Sequence, residues 1–273
     1  MTKNRRPLRD LLRVKPGAKV RLADVDPSAT HGHTKDSAAA ELQKGLDRLT
    51  DLQDRLWAES KHPVLVVLQG IDASGKDGSI RHVMGAFNPM GCSVTSFKVP
   101  TPVELAHDYL WRVHQRTPGK GEIAVFNRSH YEDVLVVRVH DIVPKAVWSQ
   151  RFDEINAFEE LLTGSGTMIL KFFLWIDRDE QKARFQARLD DPTKNWKFRL
   201  GDLEERKHWD DYIAAYEDVL ARCSTAAAPW YVIPSNRKWF RNLAIADILA
   251  DTIEALEPRY PPTTEDLSNV VIE

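Results

Sequence analysis

Residues Gly70–Gly78 read GIDASGKDG. The run follows the phosphate-loop pattern G-x-x-x-x-G-K-[ST] through Lys76, with Asp77 in place of Ser or Thr. Gly70, Gly75 and Gly78 permit a tight turn, so that backbone N–H groups over Ala73, Ser74, Gly75, Lys76 and Asp77 can cradle phosphate oxygens. A following helix N-terminus adds a positive field, and Lys76 adds a mobile charge. The acids are the departure from the pattern. Bare carboxylates beside phosphate repel it strongly at low dielectric. Asp72 makes sense as a ligand to magnesium shared with phosphate oxygens, or as the group that orients or deprotonates an attacking phosphate oxygen. Asp77 fits either a metal site or a partner for the helix dipole.

A second group of polar residues follows the apolar run EIAVF at Glu122–Phe126. Asn127 stands where nucleotide-binding sheets often place a magnesium-binding Asp. Its amide is a weaker ligand, so the negative charge must come from Asp72, Glu132 or Asp133. Arg128 is a fork suited to bidentate phosphate contact. Ser129 can cap a helix behind it. His130 reads as a hydrogen-bonding residue, since no second His lies at ligand spacing. The third group is the stretch 178–209, RDEQKARFQARLDDPTKNWKFRLGDLEERKHW. Arg184 and Arg188 share one helical face, and Lys194, Lys197 and Arg199 follow irregularly. The stretch reads as a lid closing over phosphates, or as a solvated charged face.

The elements that must hold these residues alternate between strands and helices. Runs at Val64–Gln69, Cys92–Val99, Glu122–Phe126, Thr167–Ile176 and Trp230–Ile233 predict five strands, the first of them (VLVVLQ) with the composition of a strand buried on both faces. Helical periodicity covers Lys76–Phe87, Val103–Gln115, Lys145–Leu162, Glu180–Leu189, Leu203–Ala221 and Lys238–Leu256. The alternation predicts an α/β fold, a three-layer α/β/α sandwich of the P-loop kinase-like kind around a five-stranded parallel sheet. Ligands in such sheets sit at the carboxyl ends of the strands, where Asp72, Asn127, Arg128 and Asp177 fall. We divide the chain into an N-terminal arm and helix (1–62), a phosphotransferase domain (63–257, lid about 184–210) and a tail (258–273). In the helix Ala38–Glu59, capped by Asp36 or Ser37, Leu42, Leu46, Leu49, Leu52 and Leu56 form one stripe. That stripe packs on its own domain or serves as a dimer seam.

The chain has 273 residues, with 38 Lys and Arg against 40 Asp and Glu, a net charge of -2. Near-balance argues against bulk attraction to nucleic acid or membrane, but not against a local basic groove. The N-terminus lacks the apolar core of a signal peptide, and no run approaches a membrane span. Cys92 and Cys223 read as free thiols of a reducing compartment, which points to the cytoplasm.

Four segments together carry a family resemblance: GIDASGKDG, FKVPTPVELAHDYLWR, AVFNRSHYEDVLVVRVH and DPTKNWKFRLGDLEERKHWDDY. They resemble polyphosphate kinase family 2, over about Leu8 to Leu256. Asn127–Arg128 followed by SHYEDVL is similar to the class III branch; the other branches carry Asp at the Asn127 position. The resemblance implies transfer of a phosphate from inorganic polyphosphate to nucleoside mono- and diphosphates, AMP to ADP to ATP and the guanine series as an extension, with Mg2+ (or Mn2+). It implies catalytic roles for Asp72, Lys76 and Arg128, and phosphate binding by the loop, Arg184, Arg188, Lys194 and Lys197. Nucleotide binding falls to Asn127, Glu132 and Asp133, and metal binding to Asp72 and Asp133. It further implies a homodimer or homotetramer. The rival readings are an ATP-dependent nucleotide or small-molecule kinase of the same fold, and a non-catalytic polyphosphate- or nucleotide-binding protein. Asp77 and Asn127 weigh against the first; intact Asp72, Lys76 and Arg128 weigh against the second.

Overall fold

The computed structural model describes residues 6–267 and 270–272. Five strands, β1 (Val64–Gln69), β2 (Cys92–Ser96), β3 (Ile123–Asn127), β4 (Met168–Trp175) and β5 (Trp230–Pro234), pair in the order β2-β3-β1-β4-β5. Every pairing is parallel. The helices are α1 (Leu8–Leu12), α2 (Lys35–Glu59), α3 (Lys76–His82), α4 (Pro102–Leu105), α5 (Trp111–His114) and α6 (Val136–Val139), then α7 (Lys145–Gly164), α8 (Arg178–Leu189), α9 (Gly201–Lys207), α10 (Trp209–Cys223) and α11 (Lys238–Glu254). Among the described residues no helix is long and apolar enough to cross a membrane.

Alternation along β1 explains the two cores. Leu65 and Val67 face one cluster, with Phe152, Ile155, Phe173, Tyr216 and Trp230. Val64, Val66 and Leu68 face the other, with Leu49, Leu56 and Phe172, and with Ile245 and Ile248 of α11. Both faces are therefore dry, as the unbroken apolar run of β1 requires. The arm before α2 closes the β5 edge: Val14 N–H donates to Trp230 O, and Arg13 bridges Tyr231 in antiparallel sense. Covering an edge in this way blocks pairing with another chain.

The leucine stripe is spent inside the molecule. Leu49, Leu52 and Leu56 are buried against α11, and Leu42 and Leu46 pack on the same cluster. α2 runs close to α11 at Gly45, where a Cβ would stand in ordinary contact with Ala246 Cβ, 3.5 Å away. The stripe is thus no dimer seam. The cap of α2 is Thr34, not Asp36 or Ser37; Thr34 Oγ1 accepts from Ser37 N–H at 3.3 Å. The helix expected over Val103–Gln115 is two short ones, because Asp108 Oδ1 accepts from the N–H groups of Leu110 and Trp111 and restarts the chain there. The helix expected over Leu203–Ala221 breaks likewise at His208, between α9 and α10.

Candidate active site

The site lies at the carboxyl ends of β1, β3 and β4. β1 runs into the loop Gly70–Gly75, and α3 starts at Lys76. Two glycines are required. A Cβ at Gly70 would approach Ser74 Oγ to 2.6 Å and Leu174 O to 2.8 Å. Gly75 has φ +111°, and a Cβ there would fall 1.8 Å from Arg241 Nη1. The same loop holds Ala73 at φ +63°. Lys76 is folded back under the loop, its Nζ donating to Gly70 O at 2.5 Å and to Ile71 O at 3.3 Å. Burial, and then the nearby Arg128, push its pKa down to about 8.

β3 delivers Asn127 and Arg128. The backbone turns at Arg128 (φ +61°), held by its N–H to Leu68 O at 3.0 Å. Arg128 Nη2 donates to Asp72 Oδ1 at 2.9 Å, and Nη1 lies 4.0 Å from Glu132 Oε2. Burial opposes the Arg128 charge, but Glu132 and Asp72 outweigh it and hold its pKa above the usual value. Asn127 Nδ2 donates to Asp77 Oδ1 at 2.8 Å. Asp72, Lys76, Asp77, Asn127, Arg128 and Glu132 thus meet at one place.

Asp133 does not join them. Arg151 Nη1 binds both its backbone O at 3.1 Å and its Oδ1 at 3.0 Å. Burial, partly offset by Arg151 and Arg112, raises its pKa to about 6. A carboxylate already committed to an arginine on α7 is poorly placed to share a metal with Asp72.

Arg184 also departs from expectation. It is 8% exposed, and its guanidinium is spent on the protein itself. Nη1 donates to Ala73 O and Ser74 O, both at 2.8 Å; Nη2 donates to Ser235 O at 2.5 Å and Asn236 O at 3.2 Å; Nε donates to Glu180 at 2.7 Å. The geometry makes it a clamp on the phosphate loop instead of an open phosphate ligand. Arg188 reaches Lys197 O at 3.4 Å and lies 3.9 Å from Asp202. Lys194 pairs with Asp191, and Lys197 lies over the Trp196 ring at 5.0 Å, so the basic stretch is partnered within itself.

Several residues escaped the sequence reading. Gln181 Nε2 donates to Asp72 O at 3.1 Å, and its Oε1 accepts from Arg206 Nη1 at 2.6 Å, tying α9 to the loop. A fully buried ionic cluster backs the Arg128 turn. Lys171, in the centre of β4, donates to Glu159, to Tyr131 Oη at 2.9 Å and to Cys223 O at 2.7 Å. Tyr131 donates to Glu159 Oε1 at 2.8 Å, and His130 Nε2 lies 3.2 Å from the same oxygen. Burial lowers the His130 pKa. Burial opposes the Glu159 charge, yet Lys171 and His130 hold its pKa below the ordinary carboxylate value. The signal was present in TMILKFFLWI: a lysine in the middle of a doubly buried strand must have a buried partner.

Residues 32–261 match the family described as Polyphosphate kinase 2 (PPK2). The chain belongs to the polyphosphate kinase 2 family. It is 52% identical over 263 residues to a Meiothermus ruber protein named AMP/ADP-polyphosphate phosphotransferase, covering 96% of this chain and 98% of that one. It is 45% identical to a Rhodopseudomonas palustris protein named ADP-polyphosphate phosphotransferase, covering 92% of each. The crystal structure of polyphosphate kinase 2 from Arthrobacter aurescens TC1 superposes with a TM-score of 0.93 at 42% identity, over 98% of this chain and 96% of that one. The α/β sandwich and the family expected from the four sequence segments agree with these matches. As a polyphosphate kinase 2, the protein is an enzyme whose phosphate loop, Arg128 turn and α8 clamp form one connected unit.

Proposed function

We propose that the protein transfers phosphoryl groups reversibly between inorganic polyphosphate and adenine nucleotides, taking AMP to ADP and ADP to ATP. The observation that carries this reading is the meeting of Lys76, Arg128 and Asp72 at the phosphate loop, in a chain that matches the M. ruber phosphotransferase over almost its whole length. The loop N–H groups, Lys76 and Arg128 hold the polyphosphate end. Asp72 orients the attacking oxygen of the nucleotide phosphate. That oxygen forms a bond to the terminal phosphorus as the bridging P–O bond breaks, and the chain leaves one unit shorter. Phosphoryl transfer needs positioning and charge stabilisation, so no covalent enzyme intermediate is invoked.

Mg2+, with Mn2+ as a substitute, is part of this reading. Among the described residues no cluster of three or more His, Cys, Asp or Glu forms a metal cage. Magnesium in such enzymes takes one or two carboxylates and fills its shell with phosphate oxygens and water, which Asp72 and Asp77 at the loop can satisfy. When bound it would neutralise charge on the two phosphate chains. A cytoplasmic location and a homodimer or homotetramer complete the proposal; light scattering tests the assembly. The decisive assay supplies AMP, magnesium and polyphosphate without ATP, with ADP, GMP and GDP in parallel. Formation of ADP and then ATP is expected. Phosphorylation that requires ATP as donor would favour the ordinary kinase, and binding without turnover the non-catalytic protein.

A further inference from the structure

Arg241 lies in the first turns of α11, 3% exposed, behind the phosphate loop. Its Nη1 is 3.5 Å from Ser74 O, while Nε and Nη2 reach Asn242 Oδ1 at 3.2 and 2.8 Å. The guanidinium packs against the start of α3. A Cβ on Gly75 would sit 1.8 Å from Nη1, and one on Gly78 3.0 Å from Nη2. Among the described residues no carboxylate forms an ion pair with it, and the charges that act on it, Arg184 and Lys238, are of its own sign. Burial, and then Arg184, lower its pKa to about 10. A buried arginine without a counter-ion carries an uncompensated desolvation cost. Arg184, its neighbour, already spends four bonds on carbonyls and one on Glu180.

We propose that Arg241 is a positioning residue of the polyphosphate site: it shapes the turn at Gly75, and the counter-charge it lacks is supplied by the terminal phosphates of a polyphosphate bound in the loop. The inference rests on the polyphosphate reading above. Arg241 acts through the loop backbone and its field, since the glycine turn stands between it and the cradle.

The test uses tripolyphosphate as probe, with the full-length protein and the variants Arg241→Met, Arg241→Gln and Arg241→Lys. Thermal unfolding without ligand, the melting shift with tripolyphosphate, and its Kd are measured for each. The unliganded Met and Gln variants are expected to melt no lower than wild type, because they shed an unpaired buried charge. Their Kd should rise on the order of tenfold, the scale of one charge acting through partly screened interior. Arg241→Lys keeps the charge and should bind within about threefold of wild type. KM for polyphosphate should rise with KM for AMP unchanged. Lower melting with an unchanged Kd would make Arg241 a structural residue only and overturn the inference. If Arg241→Met does not fold, a tight Lys variant beside a weak Gln variant supports the inference, and equal binding by the two overturns it. Failure of tripolyphosphate to bind the wild type would instead overturn the polyphosphate reading.

Discussion

Replacing Arg184 by Met separates the clamp from a phosphate ligand. The side chain is 8% exposed and makes four bonds to backbone carbonyls and one to Glu180. Bonds from a charged donor contribute about 1.5–3 kcal/mol each, but summing five of them overcounts, because the arginine's own desolvation is shared among them. Removing one side of a buried charged network costs about 3–5 kcal/mol. For a domain of this size each kcal/mol lowers the melting temperature by about 2–4 °C, so Arg184→Met should melt about 6–20 °C below wild type. The lost bonds include those to the carbonyls of Ala73 and Ser74, so the loop loosens and kcat falls as KM for polyphosphate rises. Differential scanning fluorimetry without ligand reads the first effect and ATP-free turnover the second. A melting temperature within about 2 °C of wild type, together with a raised KM for polyphosphate, would refute the clamp and return Arg184 to direct phosphate binding.

Three further outcomes follow from the same geometry. Lys171→Met or Glu159→Gln alone should destabilise by about 3–5 kcal/mol, whereas the double variant Lys171→Met/Glu159→Met should recover most of that in urea unfolding; a double variant as weak as the singles would count against a coupled pair. Gly75→Ala should abolish turnover, since it meets both φ +111° and the Arg241 guanidinium 1.8 Å away, while circular dichroism reports the fold retained. Lys76, with a pKa near 8 in the free enzyme, loses its proton as pH rises through that value. kcat/KM for polyphosphate should therefore fall above about pH 8, while kcat, measured with phosphates bound beside the lysine, should hold to higher pH. The limb should disappear in any Lys76→Arg variant that retains activity; a limb unmoved there assigns it to another group.

Parts of the molecule that follow from local chemistry were legible in the sequence. The five strands fall within a few residues of the expected runs; for β1, β3, β4 and β5 burial on both faces leaves little other composition open, whereas the edge strand β2 is half-exposed, with Val94 in solvent. The phosphate loop was legible from its glycines, and Arg128 from its place at a strand end. The helix break at Asp108 was not, because that residue competes with the backbone through side-chain bonds that periodicity does not weigh. Arg241, and the clamping role of Arg184, escaped for a different reason. Their partners are chiefly backbone carbonyls, a neighbouring amide and glycine turns, and these leave no complementary residue type to search for. Asp133 misled because sequence proximity to Arg128 says nothing of Arg151, eighteen positions on, which takes its carboxylate.

The near-neutral composition and a polyanionic substrate are reconciled by where the cations are paired. Arg128 is 42% exposed and bound to Asp72, itself 31% exposed, so an arriving phosphate can replace the carboxylate in water at little cost. Lys76 rests on carbonyls of its own loop and can swing to phosphate without breaking an ion pair. Arg184 and Arg241 cannot swing, because packing and backbone bonds hold them beneath the loop. In the proposed mechanism two cations would exchange partners when substrate enters, while two stay fixed behind the glycine turn. The exchanging pair can give selectivity for phosphate over other anions only if the fixed pair keeps the loop in one shape. That is why the loss of a buried arginine that never touches substrate should appear in the polyphosphate KM before it appears in the nucleotide KM.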